Sequence, residues 1–539
     1  MLINIHCAKC VGIEAVPVVV EVDITSGLGI HLVGLADVAV KESLLRTITA
    51  LQSMGFRIPG KKIVVNLAPA DMHKKGSGYD VPIALGIIKA SGQRELPLLE
   101  DFVIMGELGL DGTVRNVPGA LPIAELASSS GLRGCILPYE SAKEAVEYDG
   151  IQIYGVDSLD DVLKILSGER DGQGLLVRSR MTREKMTEAV CNGAGSCGES
   201  DEGGGTAKFG PIDFSEIMGQ EGAKRGVEIA AAGGHNVIMI GPPGSGKSSL
   251  AKAMAGILPA MNLEESLQTS KIYSVAGKSC PGGGLMRTRP FRAPHYSASV
   301  AALIGGGSDN ILPGEISLAH NGILMIDEFC EAPKKVLEVL RAPMEDKKVV
   351  ISRLKSKVEY PADFMLVAAT NPCPCGYYGE GERCSCTPSR RIAYLSKLSG
   401  PIMDRIDIQL WLSPVDPRKL VERYAAESSA VVAARVQQAR EVQRKRFEKE
   451  NRDLPPEKRV FCNAAMNNRQ IERYCPLDAS CKALLQRIIE RMGLSARACT
   501  RIIKLARTIA DLAGLPDILP EHLSEAAGYR FLDKQNIFD

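Results

Sequence analysis

Three short stretches carry side chains whose types and spacing suit phosphate chemistry. The first is Val237-Ile-Met-Ile-Gly-Pro-Pro-Gly-Ser-Gly-Lys-Ser248. An apolar run, Val237 to Ile240, reads as a buried parallel strand, and an apolar helical stretch follows from Ser249 to Leu258. That strand–loop–helix setting turns a glycine pattern into a phosphate-binding loop. The loop is Gly241, Pro242, Pro243, Gly244, Ser245 and Gly246. Its glycines let backbone N–H groups face phosphate oxygens at a helix N-terminus. Lys247 is expected to reach the β- and γ-phosphates of ATP, and the Ser248 hydroxyl to ligate Mg²⁺. The second stretch, Ile323-Leu-Met-Ile-Asp-Glu328, is an apolar strand ending in two acids. A carboxylate at the C-terminal end of a parallel strand faces the nucleotide crevice. Asp327 is expected to hold Mg²⁺ through water, and Glu328 to orient and deprotonate the attacking water. The third, Phe364 to Asn371, is a further apolar strand ending in an amide.

A different chemistry stands just downstream. Cys373-Pro-Cys375 and Cys384-Ser-Cys386 flank a polar, glycine-rich loop. Four thiols at two tight turns suit a tetrahedral Zn²⁺, structural because four thiolates leave no open position. One intervening residue is tighter than the usual two to four, and four unligated thiols are the other reading. The pair Cys7-x-x-Cys10 is a weak signal, since a lone pair of cysteines is more often incidental.

The elements that must position these groups follow from length and pattern. A chain of 539 residues is too long for one core. Residues 1–168 alternate strand and helix signals: Val18–Ile24, Ile30–Val33, a helix capped by Asp37, Lys62–Leu67, a helix Pro82–Ala90, Val103–Met105, Ala120–Ala127, Cys135–Leu137 and Ser141–Val146. This is an α+β or α/β domain. Residues 169–208 include Asn192-Gly-Ala-Gly-Ser-Cys-Gly-Glu-Ser-Asp-Glu-Gly-Gly-Gly205, too polar and glycine-rich to bury a core, and read as a flexible tether carrying Cys191 and Cys197. The nucleotide motifs lie in 209–415. Residues 416–539 are helical, opening with a basic helix, 431–450, expected to be a solvated face or connector. Net charge is +1, so any nucleic-acid surface must be a local patch. Two stretches qualify. From Ser266 to Ser308 there is no acid, but Lys271, Lys278, Arg287, Arg289, Arg292 and His295 are present; Lys347 to Val358 is a hairpin-like alternation with only positive charge. A solvated basic surface or a subunit interface would show the same pattern. No apolar run has the length of a membrane span, and the N-terminus has no signal-peptide pattern.

Several phrases resemble the magnesium-chelatase-like ComM/YifB family of AAA+ ATPases: Val33-Gly-Leu-Ala-Asp-Val-Ala-Val-Lys-Glu-Ser43, Val65-Asn-Leu-Ala-Pro-Ala-Asp71 and Gly78-Tyr-Asp-Val-Pro-Ile-Ala84. The resemblance implies an α/β AAA+ P-loop core with a C-terminal helical lid, preceded by a Lon-protease-like (ribosomal S5-like) α+β domain. A Lon-like site needs a nucleophilic Ser and a Lys. Here Gly78 stands where the nucleophile would, Ser77 is nearby, and Gly119-Ala-Leu-Pro-Ile-Ala124 carries no Lys. A non-catalytic scaffold or partner-binding unit is therefore expected, with a peptidase as the alternative. The segment Ile217-Met-Gly-Gln220 resembles the adenine-contacting segment, and Asn371 matches sensor 1. In Ser399-Gly-Pro-Ile-Met-Asp-Arg-Ile-Asp407, Arg405 is the candidate arginine finger, which implies a ring. Arg497 is the candidate sensor-2 arginine, with Arg501 competing. The two basic stretches correspond to the helix-2 insert and pre-sensor-1 hairpin that line the pore, where Phe291 or Tyr296 could stack on bases. The family implies a cytoplasmic, hexameric ATP- and Mg²⁺-dependent DNA motor, a branch-migration helicase of natural transformation. The alternative is a chelatase-like ATPase that remodels a protein partner.

Overall fold

The computed structural model describes residues 2–34, 38–72, 74, 76–182, 212–278, 283–307, 311–353, 356–379, 383–398, 400–414, 427–455 and 458–533. The expected helix cap Asp37, the tether cysteines Cys191 and Cys197, and Lys355 at the hairpin tip lie outside these residues.

The N-terminal part is built on a seven-stranded sheet in the order Ile30–Val33, Lys62–Ala68, Glu14–Thr25, Ile3–Val11, Phe102–Ile104, Gly134–Pro138, Gln152–Val156. Strand Lys62–Ala68 shows the reason for its own assignment: Ile63, Val65 and Leu67 are fully buried at period two. The central strand, Ile3–Val11, was not among the expected strands. Ile3, Ile5 and Cys7 alternate inward, but His6 and Lys9 dilute the signal. Helices Asp80–Ala90 and Ala120–Ser129 cover this sheet with almost wholly apolar sides. The packed core runs past the expected boundary at 168, because Val177 is buried in it.

The nucleotide motifs sit on a second sheet, five strands in the order Phe291–Arg292, Ile323–Ile326, Met365–Thr370, Val237–Ile240, Ile408–Trp411. Every pairing is parallel. Strands buried on both faces are expected to be unbroken apolar runs, and Val237–Ile240 and Ile323–Ile326 are.

The C-terminal helices are Ser429–Arg452, Asn468–Tyr474, Ala479–Met492, Ala496–Leu512 and Pro520–Gly528. The first is no solvated connector. Val432, Val436, Ala439 and Phe447 are buried along one face, Arg435 pairs with Glu228 and Glu427, and Arg446 pairs with buried Asp511. Arg444 and Arg452 do present surface charge, but Arg446 reads so in sequence only because its acid, Asp511, lies far away along the chain.

Within the nucleotide-motif region, buried His320 bridges two segments. Its Nδ1 accepts the Asp363 backbone N–H at 3.0 Å, and its Nε2 lies 3.3 Å from Gln268 Oε1, so the neutral tautomer with the proton on Nε2 satisfies both. Burial pushes this imidazole down to about 4, against the pull of Asp363. An unfolded histidine takes up its proton near pH 6.5, while the folded one does not. Stability is therefore expected to fall as pH drops from about 6.5 toward 4, by about 1.4 kcal/mol per pH unit at most. Urea unfolding at pH 5 and pH 7 should show this slope in the parent chain and a shallower one in His320→Asn.

Candidate functional site

The phosphate loop starts where Val237–Ile240 leaves the sheet. A Cβ on Gly241 would lie 2.5 Å from the Leu412 carbonyl, so only glycine lets the loop turn against the neighbouring strand. Gly246 has φ +91° and stands as the N-cap of helix Lys247–Ile257, which aims the first helical N–H groups at the loop. Lys247 Nζ donates to the carbonyls of Gly241 and Pro242 at 2.7 and 2.8 Å and lies 3.5 Å from Asn371 Oδ1. Its burial lowers its pKa, more than nearby Asp327 raises it. The Ser248 hydroxyl donates to Asp327 Oδ2 at 2.8 Å, so the two expected Mg²⁺ ligands already converge. Glu328 is exposed at the strand end with φ +50°, a left-handed conformation that costs a non-glycine residue about 1–3 kcal/mol. Gln220 donates to the Ser245 and Ser413 carbonyls and so fixes the Ile217–Gln220 segment against the loop. The buried Ser245 hydroxyl has no hydrogen-bond partner among the described residues. These groups fit a Mg²⁺-bound triphosphate: converged hydroxyl and carboxylate, a lysine over the loop, and an orphaned donor beneath it.

Arg405 and Arg497 stand elsewhere. Ile408 pairs with Val237, the first residue of the phosphate-loop strand, so the Arg405–Asp407 turn lies at the N-terminal edge of the sheet. The phosphate loop lies at the C-terminal edge, about 13 Å away along four residues of strand. Arg405 pairs with Glu345 and donates to the Pro401 carbonyl at 2.7 Å, while Arg497, largely exposed, lies 4.0 Å from the same Glu345. Arg501 is held instead by Asp407. Burial raises the Asp407 carboxyl, but Arg501 and His235 pull it well below the usual carboxylate range. The Asn236 backbone N–H adds a bond to it at 3.1 Å. Glu345 and Asp407 organise this arginine cluster. Asp407 stood inside a recognisable phrase, whereas Glu345 carries no local signal in sequence.

The acid-free stretches are not bare positive surfaces. Lys271 pairs with Glu125 at 2.6 Å and Arg287 with Glu147, both acids of the N-terminal part. Arg289 pairs with Glu265 at 2.9 Å and Arg292 with Glu315 at 2.6 Å. Backbone bonds from Gly119 N–H to Ser274 O and from Gly284 N–H to Lys143 O fasten the same contact. The second stretch forms the expected hairpin, Lys348–Arg353 with Ser356–Pro361. Glu359, one residue beyond the basic run, takes both Lys348 and Lys357, and Asp363 takes Lys347. Phe291 and Tyr296 are half-buried against the core.

Around the Lon-equivalent loop, Ser77 donates to Glu107, and buried Lys74 donates to the Pro69 carbonyl. No Ser–Lys pair forms there among the described residues. Cys10 packs instead against Gly119, 4.0 Å from its carbonyl.

The four loop cysteines come together. Cys373 lies 3.3 Å from Cys375 and 3.8 Å from Cys384, Cys375 lies 3.6 Å from Cys384, and all four sulfurs including Cys386 lie within 4.8 Å of one another. With Zn–S bonds of about 2.3 Å, tetrahedral thiolates stand about 3.8 Å apart, so the cage fits that ion. The Tyr377 backbone N–H draws the Cys375 thiol down to about 6, toward the thiolate a metal needs.

Lys247→Ala is expected to weaken binding of a fluorescent ATP analogue at least tenfold. Ser248→Ala should weaken it in Mg²⁺ and leave it unchanged in EDTA, which titration in both buffers would check.

No helix among the described residues is long and apolar enough to cross a membrane. Family models for magnesium chelatase subunit ChlI match residues 213–420, for the ChlI subunit of Mg-chelatase residues 20–141, and for the ChlI C-terminal region residues 426–530. The chain is 39% identical over 533 residues to YifB of Escherichia coli (strain K12), spanning 98% of this chain and 97% of that protein. It is 38% identical over 529 residues to competence protein ComM of Haemophilus influenzae, spanning 98% and 97%. A stretch of 124 residues is 29% identical to Lon protease 2 of Bacillus subtilis, spanning 23% of this chain and 22% of that protein. With relatives matched over nearly its full length, a phosphate loop on a parallel sheet and all three ChlI models in order, the chain belongs to the ComM/YifB family of magnesium-chelatase-like AAA+ proteins.

Proposed function

We propose that the chain is the subunit of an ATP-hydrolysing ring that acts on DNA. One observation carries the ring: the chemistry is divided between opposite edges of one sheet. Lys247, Ser248, Asp327, Glu328 and Asn371 gather at one edge, while Arg405 and Arg497 share Glu345 at the other. The arginines are out of reach of their own nucleotide. Placed against a neighbour, the arginine edge of one subunit would meet the phosphate-loop edge of the next. A guanidinium supplied in this way stabilises the charge spread over the transferring phosphoryl group.

Within the subunit, the loop N–H groups and Lys247 hold the phosphates, and Ser248 with Asp327 holds Mg²⁺. The metal would neutralise charge on the β- and γ-phosphates. Glu328 takes the proton of the attacking water, which Asn371 orients in line with the leaving oxygen. The helices Ala479–Met492 and Ala496–Leu512 act as the lid and bring Arg497 to the interface. Residues 1–168 serve as a non-catalytic scaffold that grips the insert through Glu125, Glu144 and Glu147. The four-cysteine cage holds a structural zinc.

DNA is supported by the hairpin, whose Lys348 and Lys357 keep half or more of their side-chain surface exposed. The Haemophilus relative is named a competence protein, and on our reading the ring is a cytoplasmic hexamer that drives branch migration in natural transformation. A chelatase-like motor acting on a protein is the second reading. It is favoured by the insert, where Lys271, Arg289 and Arg292 already face acids rather than solvent.

ATPase rate measured with and without single-stranded and branched DNA separates the two. DNA stimulation that vanishes in Glu328→Gln supports the DNA motor, and a Glu328-dependent but DNA-indifferent rate supports the protein partner. Mixing Arg405→Ala with Lys247→Ala subunits should restore part of the activity that each lacks alone; no recovery would sink the shared site. Lys348→Ala with Lys357→Ala should lower DNA affinity about tenfold and reduce the salt slope of log K by about 2.

A further inference from the structure

We infer that the cysteine cage is a metal-held wall of the nucleotide site, so that occupancy by one Zn²⁺ sets the affinity of the phosphate loop. The inference rests on the zinc and ATP readings above and adds their coupling.

The cage is joined to the site covalently and by contact. Cys373 follows Asn371 by two residues, and the Thr370 carbonyl just before it accepts the Gly241 N–H at 3.3 Å. Between the two cysteine pairs the chain folds back over the loop. Gly376, at φ +86°, closes a turn onto the Cys373 carbonyl at 3.0 Å. A Cβ added there would lie 3.1 Å from Pro243 Cδ and 3.8 Å from Asn371 Cγ. The backbone of the cysteine loop therefore lies directly on the phosphate loop.

Its far side rests on the opposite neighbour of the phosphate-loop strand. Tyr378 meets Trp411 edge-on, with ring centroids 6.1 Å apart at 88°, and Arg391 covers Tyr378 at 4.1 Å. A Cβ added at Gly379 would lie 3.8 Å from Trp411 Cζ2 as well. Trp411 pairs with Ile240, the last residue before Gly241. Residues 372–379 thus run from one flanking strand to the other, across the mouth from which the phosphate loop emerges. Its only aromatic or apolar side chains between the cysteine pairs are Tyr377 and Tyr378, and Tyr377 is exposed. So polar a segment has no core of its own to hold that position, and a tetrahedral cross-link can hold it.

Trp411 is the only tryptophan in the chain, and it touches this loop, so its emission reports the loop directly. The test uses the full-length chain. Zinc is measured by mass spectrometry, then removed with a mercurial and a chromophoric chelator. Trp411 emission and the Kd of a non-hydrolysable ATP analogue are followed before removal, after it, and after adding Zn²⁺ back. The expected result is one zinc per chain, a red shift on removal, a Kd raised at least tenfold, and recovery of both on reloading. By linkage, the bound analogue should slow zinc release. Gly376→Val keeps all four thiolates but presses on Pro243; it should retain zinc and still raise the Kd. A chain purified without chelators that contains no zinc overturns the metal reading itself. Zinc that leaves with Trp411 emission and Kd unchanged, or Gly376→Val binding nucleotide as the parent does, overturns the coupling while leaving the zinc in place.

Discussion

Parallel pairing of Val237–Ile240 with a strand on each side is the constraint on which the rest of the site depends. Parallel strands that share a direction put all their C-terminal ends on one edge and all their N-terminal ends on the other. Gly241, Asp327 and Asn371 therefore meet although long stretches of chain separate them. The same rule sends the turn before Ile408 to the opposite edge and carries Arg405 with it. One geometric fact both assembles the phosphate site and sets Arg405 apart from it. The proposed ring would bring the two edges of neighbouring subunits together.

Charge is settled at long range in this chain. Lys271 and Arg287 meet Glu125 and Glu147 of the N-terminal sheet, and Arg435 and Arg446 meet Glu228 and Asp511. Buried or half-buried cations need such partners, because stripping water from an unpaired charge costs far more than an exposed ion pair returns. Ion pairs and backbone hydrogen bonds therefore join the insert to the first part of the chain. The turn between the first two strands takes part too: a Cβ on Gly12 would lie 3.0 Å from the Glu359 carbonyl of the hairpin. These contacts place the first part of the chain against the hairpin proposed to touch DNA.

The nucleotide motifs were legible residue by residue because phosphate binding is done by a contiguous loop whose glycines and lysine have no freedom of spacing. Strands such as Lys62–Ala68 and helices such as Ala120–Ser129 were legible for a similar reason, since burial of one face imposes a period. The central strand Ile3–Val11 was not, because its half-exposed polar residues blur that period. The basic helix Ser429–Arg452 was misread because an arginine bound to a buried acid and one in water look alike along the chain.

By itself the sequence determined the chemistry available: a phosphate loop, two acids at a strand end, a terminal amide, and four thiols in two tight pairs. Those depend on local spacing, which the order of residues contains. Only the tertiary structure decided which groups share a place. It put Arg405 and Arg497 on Glu345 at the edge away from Lys247. It neutralised the acid-free insert with carboxylates from a distant part of the chain, and it laid the cysteine loop on Pro243 between the strands that flank the phosphate loop. These are outcomes of strand order and packing, in which residues far apart in the chain become neighbours, and no local pattern records them.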